Sequence, residues 1–280
     1  MNPGCSLIVA VYNRPEYLRM IFAACARQSY RNFEVIVADD GSGAAIAPVV
    51  EEGRTRYGLS IQHLWHEDLG WRKNVMLNKA IAAARSAYLI FSDGDCLPHA
   101  EFLADHMEAK EEGYYLCGRR VESSERWTAQ LALRDVEEGR YERVSVRLWW
   151  DGLLGRAKRV EDGLRFESPR VRNILHGSDR GMLGSNFSVH RAPLIAINGF
   201  DEAYDGPGCG EDSDVELRLG LVGLHARSLR HRAIQMHLHH PRTEVPQRCL
   251  DRFAALQRDP RPRCLQGLEH LEDSTENSVS

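Results

Sequence analysis

The chain has 280 residues, 43% of them hydrophobic and 27% charged, with a formal net charge of -4. That is enough for one large α/β domain or two small ones sharing a core, and the near-neutral balance gives no global electrostatic reason to bind nucleic acid. No apolar run approaches the roughly 18 residues of a membrane span, so any membrane contact is expected to be peripheral. The seven cysteines show no zinc-ribbon or redox spacing. With no secretory leader ahead of "CSLIVAVY", a reducing, cytoplasmic setting is expected.

Residues 1–112 alternate strand and helix patterns, the signature of a βαβ sheet with helices on its faces. "SLIVAVY" reads as a buried strand and stops at "NRP". "PEYLRMIFAACARQ" then places Leu18, Ile21, Phe22 and Cys25 at helical spacing behind a proline suited to a first turn. A second strand, "FEVIVA", ends in "DDGSG", where Gly41 and Gly43 tolerate positive φ. "LSIQHLW" predicts a third strand and "LGWRKNVMLNKAIAAARS" a helix. "AYLIF" predicts the strand that leads into "SDGDC". Ligands of open α/β sheets bind beyond the carboxyl ends of strands, so Asn13, Asp39, Asp40, Asp93 and Asp95 are expected to line one crevice. Asp93 and Asp95, one glycine apart, offer a hard oxygen site suited to Mg²⁺ or Mn²⁺.

The pattern loosens from Tyr114 to Arg180, and this stretch is expected to be an insertion over the site. Trp149 and Trp150 are expected there either to stack on a ring of a bound ligand or to pack as core. Order returns with the strand candidate "GMLGSNFSVHR", then "GPGCGEDSDVELRLGLVGL", in which Val215, Leu219 and Val222 fix a helix that leaves Glu211 and Asp212 at its mouth. Carboxylates are favoured at a helix N-terminus. A last strand, "AIQMHLHH", carries His237, His239 and His240, imidazoles suited to borderline metals. Beyond Pro241 a short helix around "VPQRCLDRFAALQ" and a disordered end, "LEHLEDSTENSVS", are expected. The arginines at 242, 248, 252, 258, 261 and 263 form a basic cluster suited to anionic headgroups or to a solvated helix face.

Three ordered motifs, "SLIVAVYNRPEYL", "FEVIVADDGS" and "AYLIFSDGDCLPHAEFL", resemble the nucleotide-sugar-binding half of glycosyltransferase family 2, which has the GT-A fold. The resemblance covers nearly all of residues 1–112 and implies a Rossmann-like, mainly parallel sheet flanked by helices. It implies that Val11, Asn13 and Arg14 with the "VADDGS" turn hold the donor nucleotide, Asp39 at the base and Asp40 near the ribose. Asp95 becomes the principal metal ligand, and Asp93 touches the ribose or the metal shell. Arg72, Lys73 and Asn78 are expected to approach the diphosphate.

"NGFDEAYDGPGCGEDSDVELRL" is similar to the acceptor-side motif of β-1,4-galactosyltransferase-like and chondroitin-polymerase-like enzymes. By that likeness Asp212 is the general base and Glu211 orients the acceptor hydroxyl. His237, with His239 or His240 close behind, completes the metal shell. Family members often carry a bulky residue where this chain has Cys209, so sugar contacts in that loop do not carry over.

The resemblance divides the chain into a nucleotide-sugar part (1–112), an acceptor and base part (113–240) and a C-terminal helix and tail (241–280). It implies an inverting, Mn²⁺- or Mg²⁺-dependent transferase, acting from a nucleoside-diphosphate sugar onto a glycan or lipid-linked glycan in bacterial surface polysaccharide synthesis. A nucleotidyltransferase is the rival enzyme class, but "VAVYNRPEY" lacks its Gly-rich basic loop. A nucleotide- or carbohydrate-binding protein of the same fold without turnover is the rival from outside enzymes.

Overall fold

The computed structural model describes residues 2–168, 181–208, 210–241 and 244–269. Expectations placed on Cys209, on Arg242, on most of 168–181 and on the tail beyond 269 lie outside the described residues. β1 (Cys5–Val11), β2 (Phe33–Asp39), β3 (Ile61–Trp65) and β4 (Tyr88–Asp93) run parallel in the order β3-β2-β1-β4. The register sets Val11 opposite Asp39 and Ala10 opposite Asp93. Two carboxylates thereby stand at the carboxyl edge on either side of β1.

Both faces of these strands are covered, which is why their sequences are apolar without alternation. Leu7, Val9, Val35 and Val37 pack with Leu18 and Phe22 of α1 (Pro15–Ala26) and Val49 of α2 (Ile46–Tyr57). Ile8, Ile36 and Ala38 pack the other way, with Met76, Leu77 and Ile81 of α3 (Lys73–Ala83). Helix α2 is not foreseen from the sequence, although its buried Ile46, Val49, Val50 and Gly53 keep helical spacing. Pro48 and Gly53 lower its intrinsic propensity. Gly53 is nonetheless required, since a Cβ there would meet Ile61 Cδ1 at 2.7 Å and Phe22 Cδ2 at 2.8 Å.

The stretch expected to be an insertion also builds the sheets. β6 (Tyr114–Cys117), β8 (Phe187–His190) and β9 (His225–Ser228) extend the main sheet beyond β4 in the order β8-β6-β9, with β8 antiparallel to both neighbours. The result is the expected α/β architecture, a mixed, mainly parallel seven-stranded sheet with helices on its faces. A smaller sheet joins β5 (Cys96–Pro98), β10 (Ile234–His237) and β7 (Arg119–Glu122). Its register sets His237 opposite both Cys96 and Glu122. Among the described residues no helix is long and apolar enough to cross a membrane.

Candidate active site

β4 ends on Asp93 and turns through Gly94 and Asp95 into β5. The Gly94 amide donates to Ala10 O at 2.7 Å, and a Cβ on Gly94 would come within 3.0 Å of that oxygen. The middle glycine therefore lets the acidic turn lie directly on the end of β1. Asp95 gathers three cationic or imidazole groups: His240 Nε2 at 3.1 Å, Arg14 Nη1 at 3.3 Å and His237 Nε2 at 3.5 Å. The other ring nitrogen of His237 lies 3.2 Å from Glu122 Oε2. Burial pushes the Asp95 carboxyl up, but the His240 hydrogen bond and the charges of His237, His240 and Arg120 outweigh it and hold the pKa well below the usual carboxylate range. For His240 the hydrogen bond it donates to Asp95 is the main influence, and it raises the imidazole.

These residues suit a divalent ion. Ligand atoms of Asp95, Cys96 and His237 lie within 4.8 Å of one another. A carboxylate with imidazoles fits Mn²⁺, and with the neighbouring Asp93 fits Mg²⁺. Burial raises the Cys96 thiol well above its ordinary pKa, and soft sulfur is a poor match for either of these oxygen-preferring ions.

Beside this group Lys73, at the start of α3, donates to Asp93 Oδ1 at 2.8 Å. Burial disfavours its ammonium, but the charges of Asp93, Glu211 and Asp212 outweigh that cost and raise its pKa. Arg120 Nη1 lies 3.8 Å from Asp93 Oδ2 and donates to Ser185 Oγ at 2.9 Å, while its Nε donates to Glu122 at 3.0 Å. The acidic helix Glu211–Leu221 begins at Gly210, which takes a left-handed φ of 82°. Its open first turn faces this cluster, and burial together with Asp212's charge pushes Glu211 up to about 7. Asp212 is also raised by burial, opposed by Lys73 and by the Gly184 amide, which donates to Oδ2 at 2.7 Å.

The other end of the crevice is built from the β1 and β2 termini. Asp39 Oδ1 accepts from the Ser42 amide at 2.9 Å and Oδ2 lies 2.8 Å from His63 Nε2. Asp40 lies 2.8 Å from His66 Nε2 and accepts from the Arg72 amide at 3.0 Å. Asn13 and Arg14 both adopt left-handed conformations, at φ 55° and 57°. Asn13 is held there by its amide on Ser42 Oγ at 2.6 Å and by the Gly43 amide on its Oδ1 at 3.2 Å. Two strained non-glycine residues in succession turn the chain so that Arg14 reaches Asp95. Tyr12 and Trp65, each about half exposed, flank this end.

The sequence profile of Glycosyl transferase family 2 matches residues 6–166, more than half of the chain. The chain belongs to that family. Chondroitin synthase of Escherichia coli is 25% identical over 232 residues, which are 81% of this chain and 33% of that protein. The glycosyltransferase YfnE of Bacillus subtilis is 27% identical over 261 residues, 84% of this chain and 65% of the relative. The chain thus spans about a third of the first of these and under two thirds of the second. Among solved structures, the mannosyltransferase PcManGT of Pyrobaculum calidifontis, in complex with GDP-Man and Mn2+, matches with a TM-score of 0.56 at 16% identity, covering 86% of this chain and 59% of its own. S. aureus TarS 1-349 in complex with UDP-GlcNAc matches at a TM-score of 0.52 and 18% identity, covering 87% and 60%. Both likenesses bear on the fold, which is GT-A.

In this chain Val11, Asn13, Arg14, Asp39, Asp40, Asp93 and Asp95 share one sheet edge, with Glu211, Asp212, His237 and His240 gathered against it. His239 meets its surroundings here through its backbone, the amide on Thr128 Oγ1 and the carbonyl accepting from Tyr17. Asn78 is not brought to the crevice. Its amide is fully buried on Phe200 O, Phe200 N and Glu202, tying α3 to the loop before the acidic helix. Arg72 is exposed, with its backbone amide on Asp40.

Arg120 and Glu122 are not singled out by the sequence reading. Strand alternation in "RRVE" places both on one face, and that alternation is the signal that could have found them. Of the C-terminal arginines, Arg252 pairs with Asp201, Arg248 with Asp205, Arg261 with Asp259 and Arg263 with Glu269.

Proposed function

We propose that this transferase moves a sugar, with inversion at the anomeric carbon, from a nucleoside-diphosphate sugar to a hydroxyl of a glycan or lipid-linked glycan. A UDP-sugar is the first donor to test, and bacterial surface polysaccharide synthesis is the setting that the likeness to chondroitin synthase favours. The observation that carries the reading is the convergence of two acidic motifs on Lys73. Asp93 of the donor-side turn bonds it, and Glu211 and Asp212 of the acceptor-side helix raise its pKa. A sugar seated between them would have its leaving group on one side and its attacking hydroxyl on the other.

Asp95 with His237 and His240 would hold Mn²⁺ or Mg²⁺, with Asp93 beside them. Such an ion, when bound, supplies positive charge against the leaving diphosphate. Asp39, Asp40 and Asn13 would orient the nucleoside, while Arg14, Lys73 and Arg120 add fixed cations along the path of the phosphates. Asp212 would accept the proton of the acceptor hydroxyl as its new bond forms. Its raised pKa, a consequence of burial, makes it a better base than an exposed aspartate. Glu211 would orient the hydroxyl.

The assignment is tested with Asp212→Asn. Transfer is expected to fall by about 10²–10⁴-fold while nucleoside-diphosphate binding, followed by calorimetry, is retained. Unchanged transfer would remove Asp212 from the role of base. Nucleotide binding without any transfer in the wild type, across a panel of acceptors, would favour a binding protein of this fold.

A further inference from the structure

The helix Val146–Leu153 is amphipathic in the wrong sense for a core element. Leu148 and Asp151 are buried. Val146 (74% exposed), Trp149 (38%), Trp150 (60%), Leu153 (75%) and Leu154 (60%) instead form a stripe at i, i+3, i+4, i+7 and i+8 that faces solvent. Among the described residues nothing covers it. Neither tryptophan is a core residue. A contiguous exposed apolar face of this kind marks an interaction surface.

Charge decides what fits it. Between 143 and 159 the chain carries Arg143, Arg147, Arg156, Lys158 and Arg159, all exposed, against the single carboxylate Asp151. Asp151 is turned inward, accepting from Ser124 Oγ at 2.5 Å. A cleft of about 310 Å³ at the start of the helix is lined by Arg143 and Arg147 beside Trp127 and Tyr141, while Arg140 there is already paired with Asp135 and Glu138. Tryptophan and leucine on one face with arginine and lysine around them match the headgroup–acyl boundary of an anionic bilayer, where rings and aliphatic chains enter and the cations meet phosphates.

We propose that this helix docks the transferase on an anionic lipid surface. The placement is coherent with the site. Ser124, which holds Asp151, is two residues from Glu122, and Ser123 donates to His237 O at 2.6 Å. The stripe is thus tied to the wall of the candidate metal centre, so docking would hold the crevice at the membrane, within reach of a lipid-borne acceptor.

The test is cosedimentation of the full chain with vesicles of phosphatidylcholine alone or mixed with phosphatidylglycerol, at low and high salt. It compares the wild type with Trp150→Ser/Leu153→Ser and with Arg156→Glu/Lys158→Glu. Thermal melting confirms that each variant folds, as expected for exposed positions. The wild type is expected to pellet with the mixed vesicles and much less with phosphatidylcholine or high salt. Each variant is expected to bind on the order of tenfold more weakly. Tryptophan emission should shift to the blue on binding in the wild type and not in Trp150→Ser/Leu153→Ser. Absence of wild-type binding, or equal binding by the variants, would overturn the proposal. So would a wild-type dimer that the apolar variant converts to a monomer, since the stripe would then be covered by a second copy. The assay requires no turnover, so its failure is separable from failure of the glycosyl-transfer reading.

Discussion

Gly184 shows how closely the proposed base is held. Its amide donates to one Asp212 oxygen at 2.7 Å, and a Cβ on it would meet the other oxygen at 2.1 Å. An alanine there must push the carboxylate aside, because no real Cβ contact is that short. Displacement of a catalytic group by about 1 Å can cost on the order of 100-fold in rate, so Gly184→Ala is expected to lose that much transfer while melting close to the wild type. Full activity in that variant would mean that the carboxylate's position is unimportant. Asp212 itself is visible in the sequence because it stands beside Glu211 at a helix start. Gly184 is not, since nothing in "GMLGSNF" distinguishes a glycine needed for a carboxylate from one needed for a turn.

Among elements, α4 (Phe102–Ala109) docks on the main sheet through a buried polar network. Tyr88 Oη lies 2.8 Å from Ser188 Oγ, which lies 2.8 Å from His106 Nδ1, and His106 Nε2 lies 3.2 Å from Asn186 Oδ1. Asn186 spends its amide nitrogen on Arg119 O and Ala233 O. Its oxygen therefore accepts, the ring proton belongs on Nε2, and Nδ1 accepts from Ser188. Burial pushes His106 down to about 4 from an ordinary 6.5. As pH falls from about 6.5 to 4 the unfolded chain takes up a proton that the folded chain refuses, so stability declines through that window. The loss from this group is about 2–3 kcal/mol. Melting temperatures of the wild type and His106→Gln across this range should show a shallower acid slope in the variant, although it starts lower at pH 7. Parallel slopes would contradict the assignment. The βα alternation that leads to this region is legible because strand and helix periods differ. The network is not, because it joins residues about a hundred positions apart.

At the scale of the whole molecule, the two acidic motifs meet because the second half of the chain completes the sheet begun by the first. β8, β6 and β9 continue the plane of β4. Asn74 and Asn78 of α3 bind the backbone at Asp201 and Phe200, and Arg252 and Arg218 close on Asp201 and Asp214. The edge proposed to hold the donor could be located in the sequence, where three strands end in Asn, Asp or Gly turns. The small sheet that sets Glu122 opposite His237 could not, since its three short strands come from distant segments and pair only in the fold. The central claim is that Asp95 and its imidazoles serve a nucleotide at that edge. Its most direct test is calorimetric titration of UDP, GDP and dTDP with Mn²⁺ or with EDTA, on the wild type and Asp95→Ala. The account predicts binding of one nucleotide with Mn²⁺ that EDTA or the substitution abolishes. Binding that is equal with and without the ion, and equal in Asp95→Ala, would contradict it.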